Sequence, residues 1–137
     1  MKQTFSKAER LSSRKLIDEL FSKGHSFNVF PFRCLWKHHS LGNLPSIQVA
    51  ITVPKRNFKK AVDRNKLKRR IREAWRKNKH LLLFPAPDTP DKAALILVFV
   101  SRESLSYKEI EQKIILLLQR FPKEYETHVF KERGNQE

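Results

Sequence analysis

The side chains with the clearest chemistry in this 137-residue chain are cations, and most of them lie in one stretch. From Lys55 to Lys79 there are thirteen Lys or Arg against two acids, Asp63 and Glu73, so this stretch holds +11 of the chain's net +15. Such crowding is the electrostatic footprint of a polyanionic partner, and a pI near 10.3 favours nucleic acid over an acidic small molecule. These groups can neutralise and hydrogen-bond phosphates. With roughly seven phosphates neutralised, a single-strand slope of about −0.7 per contact predicts an affinity loss near 10³ between 50 and 200 mM salt.

Other chemistries find little support. A protein nuclease needs clustered carboxylates or a placed His, and Asp63, Glu73 and Glu103 show no such grouping. Asp63 reads as an acid favouring a helix N-terminus rather than as a metal ligand. Cys34 is the single cysteine, and no Cys or His stands at metal-ligand spacing from it, so neither a disulfide nor a structural metal is expected. His38-His39 reads as a pair in a loop. The longest apolar run, Ala93 to Val100, is too short to span a membrane, and the basic segment lacks the wide apolar face of an interfacial anchor. No apolar h-region follows Met1, which predicts a cytoplasmic protein. No helix-turn-helix partner precedes the basic segment, which argues against DNA.

The elements that must present these cations follow from periodicity and punctuation. A chain of this length predicts one domain, 1–137, with an extended arm over 1–11 and a polar tail over about 131–137. Ser12-Ser13 can cap a first helix whose Leu16, Ile17, Leu20 and Phe21 form one buried stripe, and Gly24 suits a left-handed C-cap. Phe27 to Lys37 predicts a strand with Phe30, Phe32, Cys34 and Trp36 on its core face and Arg33 and Leu35 on the other. Pro31 argues for an edge or a bulge there. His38 to Pro45 reads as a loop.

Ser46 to Val53 alternates Ile47, Val49, Ile51 and Val53 with Gln48, Ala50 and Thr52, the pattern of a strand with one core face and one polar face. Pro54 ends it and hands the chain to the basic loop and helix. His80 to Asp91, with Pro85, Pro87 and Pro90, is a connector with Leu81 to Phe84 packed back. Ala93 to Val100 is uniformly apolar and predicts a central strand. Ser106 and Glu109 form a capping box opening a helix with the stripe Tyr107, Ile110, Ile114, Leu117, Leu118 and Phe121. Pro122 is expected to close that helix, with one further helical turn around Tyr125 to Phe130.

On a helical projection the basic segment divides cleanly. Leu67, Ile71, Ala74, Trp75 and Asn78 share one side, and Asn65, Arg69, Arg72 and Arg76 lie nearly opposite. Lys66, Arg70 and Lys77 occupy one border; Arg64 and Lys68 occupy the other. Solvated helix faces usually intersperse acids, because like charges at i, i+4 cost about 0.2–0.5 kcal/mol per pair. The loop before the helix adds Lys55, Arg56, Lys59 and Lys60 with Phe58, so that loop and helix together can grip a phosphate backbone.

The motif Arg64-Asn65-Lys66-x-Lys68-Arg69-x-x-Arg72-Glu73, following Thr52-Val53-Pro54-Lys55-Arg56, resembles the signature of the bacterial ribonuclease P protein component. Arg10-Leu11, Leu20-Phe21-x-x-Gly24, the strand to Val53 and the apolar strand Leu95 to Val100 follow in the family's order. The resemblance implies a small α/β fold of the two-layer α+β kind, a mixed sheet of about four strands with helices packed on it. It also implies a left-handed β-α-β crossover, against the usual hand.

The family's protein is the non-catalytic subunit of an endoribonuclease. Its catalytic RNA removes the 5′ leader of precursor tRNA, with magnesium expected in the holoenzyme and no cofactor bound by the protein alone. The resemblance implies contact with that RNA by Arg64, Asn65, Lys66, Lys68, Arg69 and Arg72, to which the local charge adds Arg76, Lys55 and Arg56. It maps the leader cleft onto Phe21, Thr52, Arg33 and Leu35, where unpaired bases can stack. The implied partners are the catalytic RNA and precursor tRNA, with no membrane and no obligatory protein partner.

Three details depart from the family pattern. The usual Arg-Asn-Arg is Arg64-Asn65-Lys66, which keeps the charge without the second bidentate fork. Ile17 replaces a common aromatic, and the loop Arg56 to Lys60 is one residue longer. A ribosomal or other structural RNA-binding protein would explain the charge equally well; restoration of leader cleavage by the catalytic RNA at low magnesium separates the two.

Overall fold

The computed structural model describes residue 5 and residues 7–39, 46–82 and 92–134. Four strands form one mixed sheet: β1 (His25–Val29), β2 (Phe32–His39), β3 (Ile47–Thr52) and β4 (Lys92–Phe99), in the order β1-β2-β4-β3. The apolar β4 is central, as its composition predicts, antiparallel to β2 and parallel to β3. Three helices accompany the sheet: α1 (Arg14–Lys23), α2 (Ala61–Asn78) and α3 (Tyr107–Gly134). The parallel neighbours β3 and β4 are joined through α2, the crossover unit that carries the basic segment.

The main two layers are the sheet and the pair α2 and α3. Trp36, Leu95 and Phe99 on one sheet face meet Leu67, Ile71, Ala74 and Trp75 of α2 and Ile110, Ile114 and Phe121 of α3, all buried in one cluster. Burying a large apolar side chain contributes about 1.5–3 kcal/mol, so this layer contact dominates the fold's stability. The other sheet face is covered in part by α1, where Leu20 packs with Leu35, Ala94 and Ile96.

Several expectations give way to the structure. Ser13 caps α1 by accepting from the Leu16 amide, yet only Leu20 of the predicted stripe is buried; Leu16 and Ile17 are half-buried and Phe21 is exposed. Two apolar residues per turn exceed what a short helix over half a sheet face can hide. Gly24 ends α1 in an extended conformation, φ −71°, not a left-handed one. Its glycine is required by close approach, since a Cβ there would collide with the Leu20 carbonyl.

The stretch 27–37 is not one strand but a hairpin, in which Phe30-Pro31, joined by a cis peptide bond, forms the turn between β1 and β2. Pro31 thus sits at neither an edge nor a bulge, and Phe30 is exposed, off the face of Phe32, Cys34 and Trp36. His38 belongs to β2, its ring 6.2 Å from that of Tyr125, rather than to a loop; residues 40–45 lie outside the described residues. Burial pushes the Cys34 thiol pKa up, which keeps it neutral in the core.

The arm is partly ordered: Lys7–Glu9 form a 3₁₀ turn, and the Leu11 amide donates to the Val49 carbonyl at 3.0 Å. The non-core side of β3 is therefore not simply polar. Gln48 is buried there, donating to the Ala8 carbonyl at 2.9 Å. After α2 the turn Lys79–Leu81 leaves Leu81 exposed and Leu82 partly buried; residues 83–91 lie outside the described residues.

The capping box of α3 forms as predicted, with the Ser106 amide donating to Glu109 at 2.9 Å and the Glu109 amide to Ser106 Oγ at 3.2 Å. Pro122 does not close α3, which continues to Gly134. An interior proline costs about 3 kcal/mol, and packing beyond it offsets that cost. Tyr125 is buried against Trp36, with ring centroids 5.6 Å apart, and the His128 ring stacks on His25 at 4.2 Å.

Candidate RNA interface

The loop between β3 and α2 is built before the helix can present anything. The Asn57 and Phe58 amides both reach the Pro54 carbonyl, at 3.2 and 3.4 Å, and the Phe58 ring packs 6.0 Å from that of Phe99 in the core. Phe58 is therefore an anchor, and Lys55, Arg56, Lys59 and Lys60 are left exposed around it. Arg64 closes the loop: its Nη1 donates to the carbonyls of Phe58 at 2.8 Å and Lys59 at 2.9 Å.

On α2 the buried side consists of Leu67, Ile71, Ala74 and Trp75, as the projection predicts. Asn78 bridges outward from that side, donating to Glu111 of α3 at 3.0 Å. The border residue Arg70 is also committed, its Nη1 donating to the Leu105 carbonyl at 2.6 Å. These ties hold α2 against α3 and orient its far side to solvent.

That far side carries Asn65, Arg69 and Arg72, with Lys66 beside them, all exposed. Among the described residues none of the four, nor half-buried Lys68, makes an ion pair or a side-chain hydrogen bond. Arg76 differs, because its guanidinium pairs with Glu73, Nε to Oε2 at 3.0 Å. Arg76 and, more weakly, Lys77 hold the Glu73 carboxyl below its ordinary pKa. The outer cations are thus desolvated by nothing and compensated by little, the condition in which a phosphate is bound at small cost.

The sheet face shared with α1 supplies a second feature. Register places Thr52 beside Val98, Val98 beside Arg33, and Arg33 beside Asn28, one row across all four strands. At about 4.8 Å per strand the row spans roughly 14 Å. Arg33 and Asn28 are exposed, Thr52 and Val98 half-buried, so this part of the face is open. Phe21, 58% exposed, stands on α1, which covers the same face.

Of the residues picked out for a cleft, Thr52 and Arg33 are brought into one row. Leu35 is not: it is buried beneath α1 with Leu20 and cannot meet a ligand on an open sheet. The side opposite a strand's core face is not automatically solvent when a helix lies over half of it. Val98 and Asn28 were missed. Val98 is masked by the uniform apolarity of β4, and Asn28 by the absence of any signal for the hairpin; the Phe30-Pro31 pair, read as a turn, would have exposed it.

A family model described as Ribonuclease P matches residues 5–122 of the chain. A ribonuclease P protein component from Porphyromonas gingivalis W83 is 35% identical over 107 residues, 78% of either chain. One from Thermotoga sp. RQ2 is 32% identical over 127 residues, covering 88% of this chain and 97% of its own. The solved RNase P protein of Thermotoga maritima superposes with a TM-score of 0.64 at 25% identity, covering 82% of this chain and 97% of that one. The Staphylococcus aureus protein, at 23% identity and a TM-score of 0.63, has the same fold. With the signature cations displayed on α2 and the match running through nearly the whole described fold, the chain belongs to the ribonuclease P protein family.

Proposed function

We propose that this chain, an RNA-binding protein component of ribonuclease P in tRNA processing, leaves the cleavage chemistry to the RNA subunit and acts by holding RNA in two places. The outer side of α2, with Asn65, Lys66, Arg69 and Arg72, binds the catalytic RNA together with Lys68 and the loop cations Lys55 and Arg56. The row Thr52, Val98, Arg33 and Asn28, flanked by Phe21, takes the single-stranded 5′ leader of precursor tRNA. Arg64 serves chiefly by shaping the loop, and Arg76 reaches RNA only as the partner of Glu73.

One observation carries this reading: a row of exposed, unpartnered cations backed by four buried apolar residues on the same helix. Magnesium for phosphodiester cleavage belongs on this reading to the assembled particle. Among the described residues no group of three or more His, Cys, Asp or Glu could hold a metal ion.

The test is reconstitution with catalytic RNA and precursor tRNA at low magnesium. Arg69→Ala combined with Arg72→Ala is expected to weaken RNA binding about tenfold at moderate salt and to make the salt dependence shallower by about 1.4 in log–log slope. Unchanged affinity and unchanged processing would sink the assignment of this face.

A further inference from the structure

We propose that RNA crossing the sheet leaves it over the β1 edge and enters a second site, the groove between β1 and α3, where one or more leader nucleotides lie against Lys123. The proposal rests on the leader reading of the sheet row and extends it. The groove has a volume of about 560 Å³, and Asn28, the last residue of the row, is also part of its wall. A strand following the row therefore arrives at the groove without a gap.

The lining suits a nucleotide. Leu116, 48% exposed, offers an apolar surface to a base, and Gln119 in the same lining carries an amide that suits a base edge. Arg120 builds the wall rather than binding. Its Nη1 donates to the Asn28 carbonyl at 2.8 Å, its Nε meets Glu124 at 3.2 Å, and its guanidinium lies 5.2 Å from the Phe27 ring centroid. With Glu124 so neutralised, the charge left to the groove is that of Lys123, exposed and without a partner among the described residues.

That charge and the continuity with the row favour an unpaired RNA strand as occupant. A peptide adding to the β1 edge is opposed, because the Asn28 carbonyl it would need already accepts from Arg120.

The experiment uses the reconstituted holoenzyme and precursor tRNAs whose leaders are lengthened one nucleotide at a time. The unaltered protein is expected to gain affinity in two increments, the first as the leader covers the sheet and the second as it enters the groove. Lys123→Ala and Lys123→Glu should abolish only the second, a loss of about three- to tenfold, with a salt slope shallower by about 0.7. Substrates with the shortest leaders should bind all three proteins equally.

Arg33→Ala separates the two readings, since it should weaken every leader long enough to reach the sheet. If Arg33→Ala costs affinity while both Lys123 variants follow the unaltered protein at every length, the row stands and the groove is refuted. If neither position matters at any length, both are refuted.

Discussion

At the scale of single residues, Arg64 lies on the border of α2 nearer the core than a phosphate-binding cation needs to be, and the reason is non-local. Its guanidinium satisfies the Phe58 and Lys59 carbonyls, acceptors that no helical projection can include because they belong to the preceding loop. Arg64→Ala leaves both carbonyls without this donor, at a cost on the order of 1–3 kcal/mol. Faster amide hydrogen exchange at Asn57 and Phe58 is the expected signature, together with weaker RNA binding. Unaltered exchange with weakened binding would instead make Arg64 a direct contact. Lys66, by contrast, is exposed as its position predicts, a point charge without the bidentate fork of an arginine. Gly24 was legible as a helix stop, but its cause, the crowding of the Leu20 carbonyl, is a contact rather than a dihedral preference.

Among the elements, the union of α2 with α3 positions the cationic outer side of α2, and it is pH-sensitive through Glu111. This carboxylate accepts from Asn78 at 3.0 Å and from the Tyr107 hydroxyl at 2.9 Å, bonds that hold it below its ordinary pKa. A depressed carboxyl contributes stability above its unfolded pKa, about 4.3, and loses it as pH falls through the lower folded value. Tyr107 is pushed up to about 12, by burial first and then by the Glu111 bond. Its contribution is complete below its unfolded pKa of about 10 and disappears as pH rises through the folded value. Glu111→Gln should therefore shrink the acid limb of the stability profile, to which the depressed Glu73 also contributes, and soften the alkaline one. Thermal melts from acid to alkaline pH check this; an unchanged profile at both ends would exclude Glu111 as the coupling group.

The capping box and the apolar stripe of α3 were readable because both are local patterns. Its continuation past Pro122 was not, because the packing of Tyr125 on Trp36 and of His128 on His25 joins residues 89 and 103 positions apart. For the same reason the hairpin escaped notice: a run of aromatics from Phe27 to Trp36 suits one strand locally, and only pairing shows that Phe27 faces Cys34.

In the whole molecule, charge concentration and the central strand were legible from composition and periodicity, whereas the row from Thr52 to Asn28 was not. It is assembled by register across three strand pairings, and nothing in one strand encodes its alignment with the next. The same pairing leaves β3 and β1 as the outer strands of an open sheet. Outer strands carry unsatisfied backbone groups that can template addition of another chain. Here the arm lies along one margin, through Arg10 and Leu11 against Val49, while Arg120 occupies the Asn28 carbonyl on the other. Removing residues 1–11 should unseal the β3 margin and produce concentration-dependent self-association by sedimentation or light scattering. A truncated chain that stays monomeric would show that repulsion between molecules of +15 is enough by itself. The short arm is thus a guard against aggregation, keeping a protein made to assemble with RNA from assembling with itself.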